Sequence, residues 1–317
     1  MSERDAALPT VLAPGKVFLA GEYSVLAGGR AIVSTLGIHA RASVVPAGRK
    51  REAQFVSAIL RLLAPRIARS LARRKLGISL NLRPFRRGRV KLGVGSSAAG
   101  VAAVSGLVQV LQGGSVGRRD VLARRCAELH RNLQDGHGSG ADAAASCRGG
   151  VIRFRMPATL SRVALPPWLR LVAIVLGHGG RTSRVLHRYT RMLDAPGGKL
   201  LGNLEIFAEA ADRIMDGLDR QDWYSLRLGV NLTAAAYEEL EDLISVELVT
   251  HHDILVMRAS RRLGGVSRPS GAGGGDLHLA YFPEPEPAAR FMQWASGKGY
   301  LALEVEPDDL GVRRQDP

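Results

Sequence analysis

Apolar and polar positions along the chain change period repeatedly, and each change predicts an element. Residues 11–20 are mostly apolar and end at Gly21, and residues 31–45 carry alternating apolar positions, so both stretches read as strands. Over residues 55–71 the period lengthens to that of a helix, with Ile59, Leu62, Leu63, Ile67 and Leu71 on one stripe, and a single helix is expected across Pro65. Residues 78–82 alternate like a strand. Residues 98–111 are apolar nearly all round, the mark of a buried helix. Asp120 is the expected N-cap of a helix running to Leu133. Val151–Arg155 and residues 171–176 read as strands, and Pro166 and Pro167 mark the expected domain boundary within residues 163–169. Helical spacing then covers residues 200–218, 223–243 and 254–263. A strand at Leu277–Phe282, a helix over 287–297 and a strand over 301–305 complete the series. Helices and strands mix in both halves, so the expected class is α+β, with α/β as the neighbouring option. The expected domains are 1–165 and 166–317.

Composition narrows the class without naming a function. Of 317 residues, 46% are apolar and 23% charged, the mix of a globular chain with a core. No run reaches the roughly 18 apolar residues of a membrane span. The first nine residues include Glu3, Arg4 and Asp5 and lack the apolar segment of a secretory signal. Two cysteines, Cys126 and Cys147, are too few for a disulfide framework and fit a reducing compartment. A cytoplasmic protein is therefore expected. The net charge of +15 and a pI of 10.7 are compatible with nucleic-acid binding, with attraction of small phosphorylated anions, or with a solvated arginine-rich surface. Aromatics are only 5% and form no stripe beside the basic runs, so nucleic acid is the less favoured partner.

The candidate chemistry begins at Lys91-Leu92-Gly93-Val94-Gly95-Ser96-Ser97-Ala98-Ala99. Small residues let the backbone fold closely around an anion, and a helix opening at Ser96 would aim free N–H groups at it. Ser96 and Ser97 can donate to phosphate oxygens, and either can reach a magnesium ion. The chain has no G-x-x-x-x-G-K-[ST] sequence, so this is not a Walker A site. Gly93 to Ala98 satisfies a G-x-G-x-x-A dinucleotide pattern, but the first acidic residue after it is Asp120, placed at a helix start and not at a strand end.

The stretch closely resembles the phosphate loop of GHMP kinases, in the form found in phosphomevalonate kinases, with Val94 where Leu is common. Two further stretches in the family's order extend the resemblance. Ala13-Pro14-Gly15-Lys16 through Gly21-Glu22-Tyr23 to Val25-Leu26 resembles the first family motif, and Tyr23 stands where mevalonate kinases tend to have His. Residues 268–276 resemble the third, ending in Gly273-Gly274-Gly275-Asp276, the phosphomevalonate form. Between them, Gly138-Ser139-Gly140-Ala141-Asp142 resembles the stretch that carries the family's catalytic aspartate.

The resemblance implies a two-domain GHMP kinase fold, with an N-terminal domain like ribosomal protein S5 domain 2 and a ferredoxin-like C-terminal domain. It implies ATP and Mg²⁺ as cofactors and a small phosphorylated acceptor, mevalonate 5-phosphate, converted to mevalonate 5-diphosphate. The nearest alternative is mevalonate kinase or another GHMP small-molecule kinase; a non-catalytic nucleic-acid-binding protein ranks below both. The implied catalytic residues are Lys16 and Asp142. ATP phosphates fall to Lys91, Gly93, Val94, Gly95, Ser96, Ser97 and Ala98, with Ser96 and Ser97 toward the metal. The acceptor falls to Lys16, Glu22, Tyr23, Ser139, Gly140, Arg181, Thr182, Ser183, Gly273, Gly274 and Asp276. Glu128 is not assigned to the metal, because its spacing to Asp142 is longer than the family pattern, and His251-His252-Asp253 reads as a helix start.

Overall fold

The computed structural model describes residues 8–46, 54–177, 182–193 and 198–315. Two sheets organise it. In the first, β1 (Thr10–Ala20) pairs antiparallel with the long β2 (Arg30–Pro46), which in turn pairs with β3 (Leu76–Asn81) at one end and β6 (Val151–Arg155) at the other. A short hairpin, β4 (Arg86–Arg87) and β5 (Val90–Lys91), stands apart and leads into the glycine-rich loop. β7 (Thr159–Val163) extends the first sheet beyond β6. The chain then crosses through Pro166 and Pro167 to β8 (Arg170–Val175), in a second, wholly antiparallel sheet. That sheet also holds β9 (Val266–Ser270), β10 (Leu277–Phe282) and β11 (Leu301–Glu304), in the order β11-β8-β10-β9. Finally β12 (Arg313–Arg314) returns to pair with Val11 and Leu12 of β1.

Helices fill the rest. α1 (Gln54–Leu63) and α2 (Pro65–Arg73) replace the single helix expected across residues 55–71. Pro65 has no N–H for the ladder and its ring clashes with a preceding carbonyl, so Ala64 leaves helical geometry and Pro65 begins the second helix, where its missing donor costs nothing. α3 (Ser96–Leu111) is buried from Ala98 through Val108, as its all-round apolar sequence predicts, and lies against β1, β2, α4 (Arg119–Asn132) and α5 (Ala141–Arg148). Asp120 is not the N-cap of α4: Arg118 holds that place, and Asp120 sits in the first turn paired with Arg148.

α6 (Thr182–Leu193), α7 (Leu201–Asp219), α8 (Trp223–Ile244), α9 (His251–Arg262) and α10 (Pro285–Gly297) belong to the second half. α9 begins at the His-His-Asp stretch, where Thr250 caps and Asp253 returns the bond to the Thr250 N–H at 2.8 Å. Among the described residues no helix is long and apolar enough to cross a membrane.

Strand β9 was hidden by its composition. Val266-Ser-Arg-Pro-Ser270 carries three polar side chains and a proline and runs into the glycine-rich motif, yet all five residues are buried. Each polar side chain has a buried partner: Ser267 meets Ser260 at 2.8 Å, and Arg268 and Ser270 donate to the Phe18 carbonyl at 3.2 and 3.0 Å.

Candidate functional site

The N-terminus of α3 is the anchor of the site. Gly95 caps it at φ +80°, and the helical ladder starts with the Ala99 N–H on the Gly95 carbonyl at 3.0 Å. The N–H groups of Ser96, Ser97 and Ala98 therefore have no acceptor within the helix. β1 delivers Lys16 to this loop. The Lys16 N–H donates to the Val94 carbonyl at 2.9 Å, and the aliphatic stem lies so close to Gly95 that a Cβ there would stand 2.6 Å from Lys16 Cε. The positive φ favours glycine there, and the missing Cβ leaves room for the Lys16 stem in this position. The ammonium group stands 4.8 Å from the Phe18 ring centroid.

Asp142 comes from the first turn of α5, whose entry requires Gly140 at φ +79°, because a Cβ there would be 2.4 Å from the Ala127 carbonyl. Burial opposes ionisation of Asp142, but the His130 ring, Lys16 and the Ala143 N–H together outweigh it and hold the carboxyl well below the usual carboxylate range. His130, from the buried face of α4, places Nδ1 3.0 Å from Asp142 Oδ1 and Nε2 3.1 Å from Ser97 Oγ. The Nδ1 contact is close but not aligned as an ideal hydrogen bond. Glu128 lies on the exposed face of the same helix.

A cleft of about 100 Å³ opens beside these groups, lined by Lys16, Glu22, Tyr23, Ser139, Asp142 and Ala272 among others. Its far wall is tied down by a buried ion pair, Arg268 to Glu22 Oε1 at 2.6 Å, that links the turn after β1 to β9. Burial opposes the Arg268 charge, and Glu22 more than restores it. Tyr23 donates to the Ala272 carbonyl at 2.8 Å and Tyr237 to the Gly271 carbonyl at 2.6 Å, which fixes the second glycine-rich turn. The Tyr23 ring packs against Tyr189 and Phe207, with centroids 4.7 and 5.0 Å away.

The structure thus brings Lys16, Glu22, Tyr23, Ser139 and Asp142 to one cleft beside the loop of Gly93, Val94, Gly95, Ser96, Ser97 and Ala98. Gly93 packs against Asp276 and Leu277, which joins the two glycine-rich turns. Ser139 accepts from the Ala141 N–H at 3.3 Å as part of the turn into α5. Gly140, Gly273 and Gly274 serve backbone geometry outside the cleft lining; Gly274 donates to the Leu248 carbonyl at 2.8 Å. Lys91 is exposed on β5. Arg181 lies outside the described residues, and Thr182 and Ser183 are described only as the helical backbone that opens α6. His130 was not singled out from the sequence, since a histidine on a helix gives no signal until its partners are known. A larger cavity of about 770 Å³ runs along the Val163–Leu171 crossover and includes none of these residues.

Oxygen donors for a magnesium ion are present in Ser96, Ser97 and Asp142, whereas no trio of His, Cys, Asp or Glu among the described residues could hold a metal ion. That donor set fits an ion that arrives on a triphosphate, since Mg²⁺ is usually bound by one or two carboxylates plus substrate phosphates.

Residues 55–150 match the family described as GHMP kinases N terminal domain. A mevalonate kinase of Aeropyrum pernix is 27% identical over 300 residues, covering 86% of this chain and 88% of that protein. The Lin0012 protein of Listeria innocua has the same fold at a TM-score of 0.82 and 17% identity, over 98% of this chain and all of that one. Streptococcus pneumoniae phosphomevalonate kinase, solved with phosphomevalonate and AMPPNP, superposes at a TM-score of 0.76 with 17% identity, over 93% of this chain and 99% of the other. The chain carries a GHMP kinase N-terminal domain, set within the two-domain fold that GHMP kinases share.

Proposed function

We propose that the protein transfers the γ-phosphoryl group of ATP to mevalonate 5-phosphate, giving mevalonate 5-diphosphate and ADP. The observation that carries this reading is the seat of Lys16 on Gly95, which puts one cation between the phosphate loop and the Asp142 cleft. An acceptor phosphate oxygen attacks the γ-phosphorus, and the bond from that phosphorus to the β–γ bridging oxygen breaks. Lys16 offsets the charge of two phosphates brought together, and the N–H groups of Ser96, Ser97 and Ala98 receive the triphosphate. Ser96 or Ser97, with Asp142 and the nucleotide's phosphates, would hold Mg²⁺, and the bound ion would supply charge neutralisation at the phosphoryl oxygens.

A carboxyl held as low as that of Asp142 is a weak proton acceptor. A phosphomonoester, with a second pKa of about 6, is already ionised at neutral pH and needs no strong base. An alcohol acceptor does. Asp142 then orients Lys16 and the acceptor, and the phosphate acceptor suits it better. The same reading divides the chain near residue 165 into an N-terminal ATP-binding domain and a C-terminal domain, with the acceptor between them. Mevalonate is the second candidate acceptor, favoured by the relative from Aeropyrum pernix.

The test is ADP release with Mg-ATP and a panel of mevalonate 5-phosphate, mevalonate, homoserine and galactose. Turnover with mevalonate 5-phosphate alone is expected. Turnover with mevalonate alone replaces the acceptor, and silence across the panel removes the kinase reading.

A further inference from the structure

Lys16 stands two residues before Phe18, and in an extended strand that spacing puts both side chains on one face. Val17 and Leu19 take the opposite face and are buried in the core. The pairing of β1 with β2 is regular from Gly15 to Phe18 and shifts register on either side, which sets this short stretch apart from the rest of the strand. Its end is held from β9, since Arg268 and Ser270 both donate to the Phe18 carbonyl, at 3.2 and 3.0 Å. Phe18 is 9% exposed and lines the same cleft as Lys16 and Asp142. The Lys16 ammonium group meets the face of its ring, 4.8 Å from the centroid.

What the ring supplies follows from its chemistry. A lysine side chain is a flexible four-carbon stem, and the close approach to Gly95 confines the stem but not its charged end. The ammonium group needs a second support. Another carboxylate in that place would take one of its three N–H donors and cancel the charge that two approaching phosphates require. The face of a benzene ring attracts a cation through its quadrupole, accepts no ordinary hydrogen bond and leaves the net charge whole. Phe18 is buried, the setting in which such an attraction is strongest.

We propose that Phe18 is a positioning residue that holds the Lys16 ammonium group against its ring, with the N–H donors left free for phosphate oxygens. This rests on the kinase reading above and deepens it, by naming what keeps Lys16 in place before the phosphates arrive. Phe18 acts through Lys16 and not by contact with the reacting atoms. The proposal also gives β9 a part in the site: the buried donors of Arg268 and Ser270 hold the strand end from which the ring projects.

The test replaces Phe18 with phenylalanines carrying one, two and three ring fluorines, which draw charge from the ring face while hardly changing its size. ADP release is followed with Mg-ATP and the acceptor of the panel that turns over. Along the series kcat should fall stepwise, by about 5- to 30-fold at its end, the span of a desolvated cation–π contact. KM for ATP, which depends on the loop N–H groups, should stay, and so should the unfolding midpoint. Phe18→Leu, which keeps apolar bulk, should match the trifluorinated protein, and Phe18→Tyr should keep most of kcat. In a Lys16→Met background the fluorine series should have no effect, because the cation is gone. A flat kcat across the series, a change in acceptor KM alone, or an undiminished series in the Lys16→Met protein overturns the proposal and leaves the kinase standing. A wild type that releases no ADP with any acceptor of the panel removes the kinase reading, and this inference with it.

Discussion

Two Ser–His–Asp clusters occur among the described residues, similar in their spacing and opposite in setting, and only the second is hydrogen-bonded along its whole length. One is Ser97–His130–Asp142. The other is Ser267–His278–Asp253, with Nε2 3.0 Å from Ser267 Oγ and Nδ1 2.7 Å from Asp253 Oδ1. In the second chain every member is at most 2% exposed. Asp253 spends its other oxygen on the Thr250 hydroxyl at 2.6 Å and N–H at 2.8 Å, so it closes the cap of α9 while gripping β10. Asp142, by contrast, leaves one-fifth of its side chain exposed, stands near Lys16, and shares its histidine with the phosphate loop. Triad geometry alone therefore assigns no chemistry. What the groups face does: helix cap and core in one case, cleft and cation in the other.

Breaking the sealed chain should give the largest effect. His278→Ala leaves the Asp253 carboxylate buried and short of a partner, and should lower the unfolding free energy by about 3–5 kcal/mol in urea titration. The folded fraction should keep its specific activity. An unchanged midpoint would show that the second chain is not what binds α9 to β10. Lys16→Met acts on the other chain: kcat should fall about 10²–10³-fold, as when a preorganised electrostatic group is lost, with the unfolding midpoint unmoved. Near-normal turnover there sinks the assignment of Lys16.

A smaller effect tests the sealed chain by pH. Burial opposes ionisation of Asp253, but His278 and Thr250 outweigh it and depress the carboxyl below its ordinary value of 3.8. A depressed carboxyl contributes stability that is fully present above the unfolded value and is lost as pH falls through the folded one. The stability difference between wild type and Asp253→Asn should hold from neutrality to about pH 4 and shrink below it. A difference constant down to strongly acid pH would contradict the depressed carboxyl. Smallest of all, Ser267→Ala should cost about 1 kcal/mol, one net hydrogen bond, with kcat and KM untouched.

The parts of the site that the sequence reveals are those whose residues are neighbours along the chain. Lys16 follows Pro14-Gly15, the loop is a run from Lys91 to Ala99, and Asp142 follows Gly138-Ser139-Gly140; each carries its geometry in its own small residues. His130 is different, because its partners lie 33 residues before it and 12 after it, and only packing of α3, α4 and α5 brings them together. The fold shows the same division. Long apolar strands and helices were legible, whereas β9 was not, since its burial depends on Glu22, Ser260 and the Phe18 carbonyl, all distant in sequence. At Pro65 the apolar stripe continues through a break, so the stripe was right and the single helix wrong.

Strand β12 has a consequence for how the protein is made. Arg313 and Arg314 form the outer edge of the first sheet, Gln315 donates to the Thr10 carbonyl at 2.9 Å, and the Gly150 N–H bonds the Asp308 carbonyl at 2.7 Å. During synthesis β1 leaves the ribosome some three hundred residues before its outer neighbour exists. The nascent N-terminal half must therefore wait with β1 as a bare edge, open to pairing with another chain. Closure of this early strand is left to one made much later.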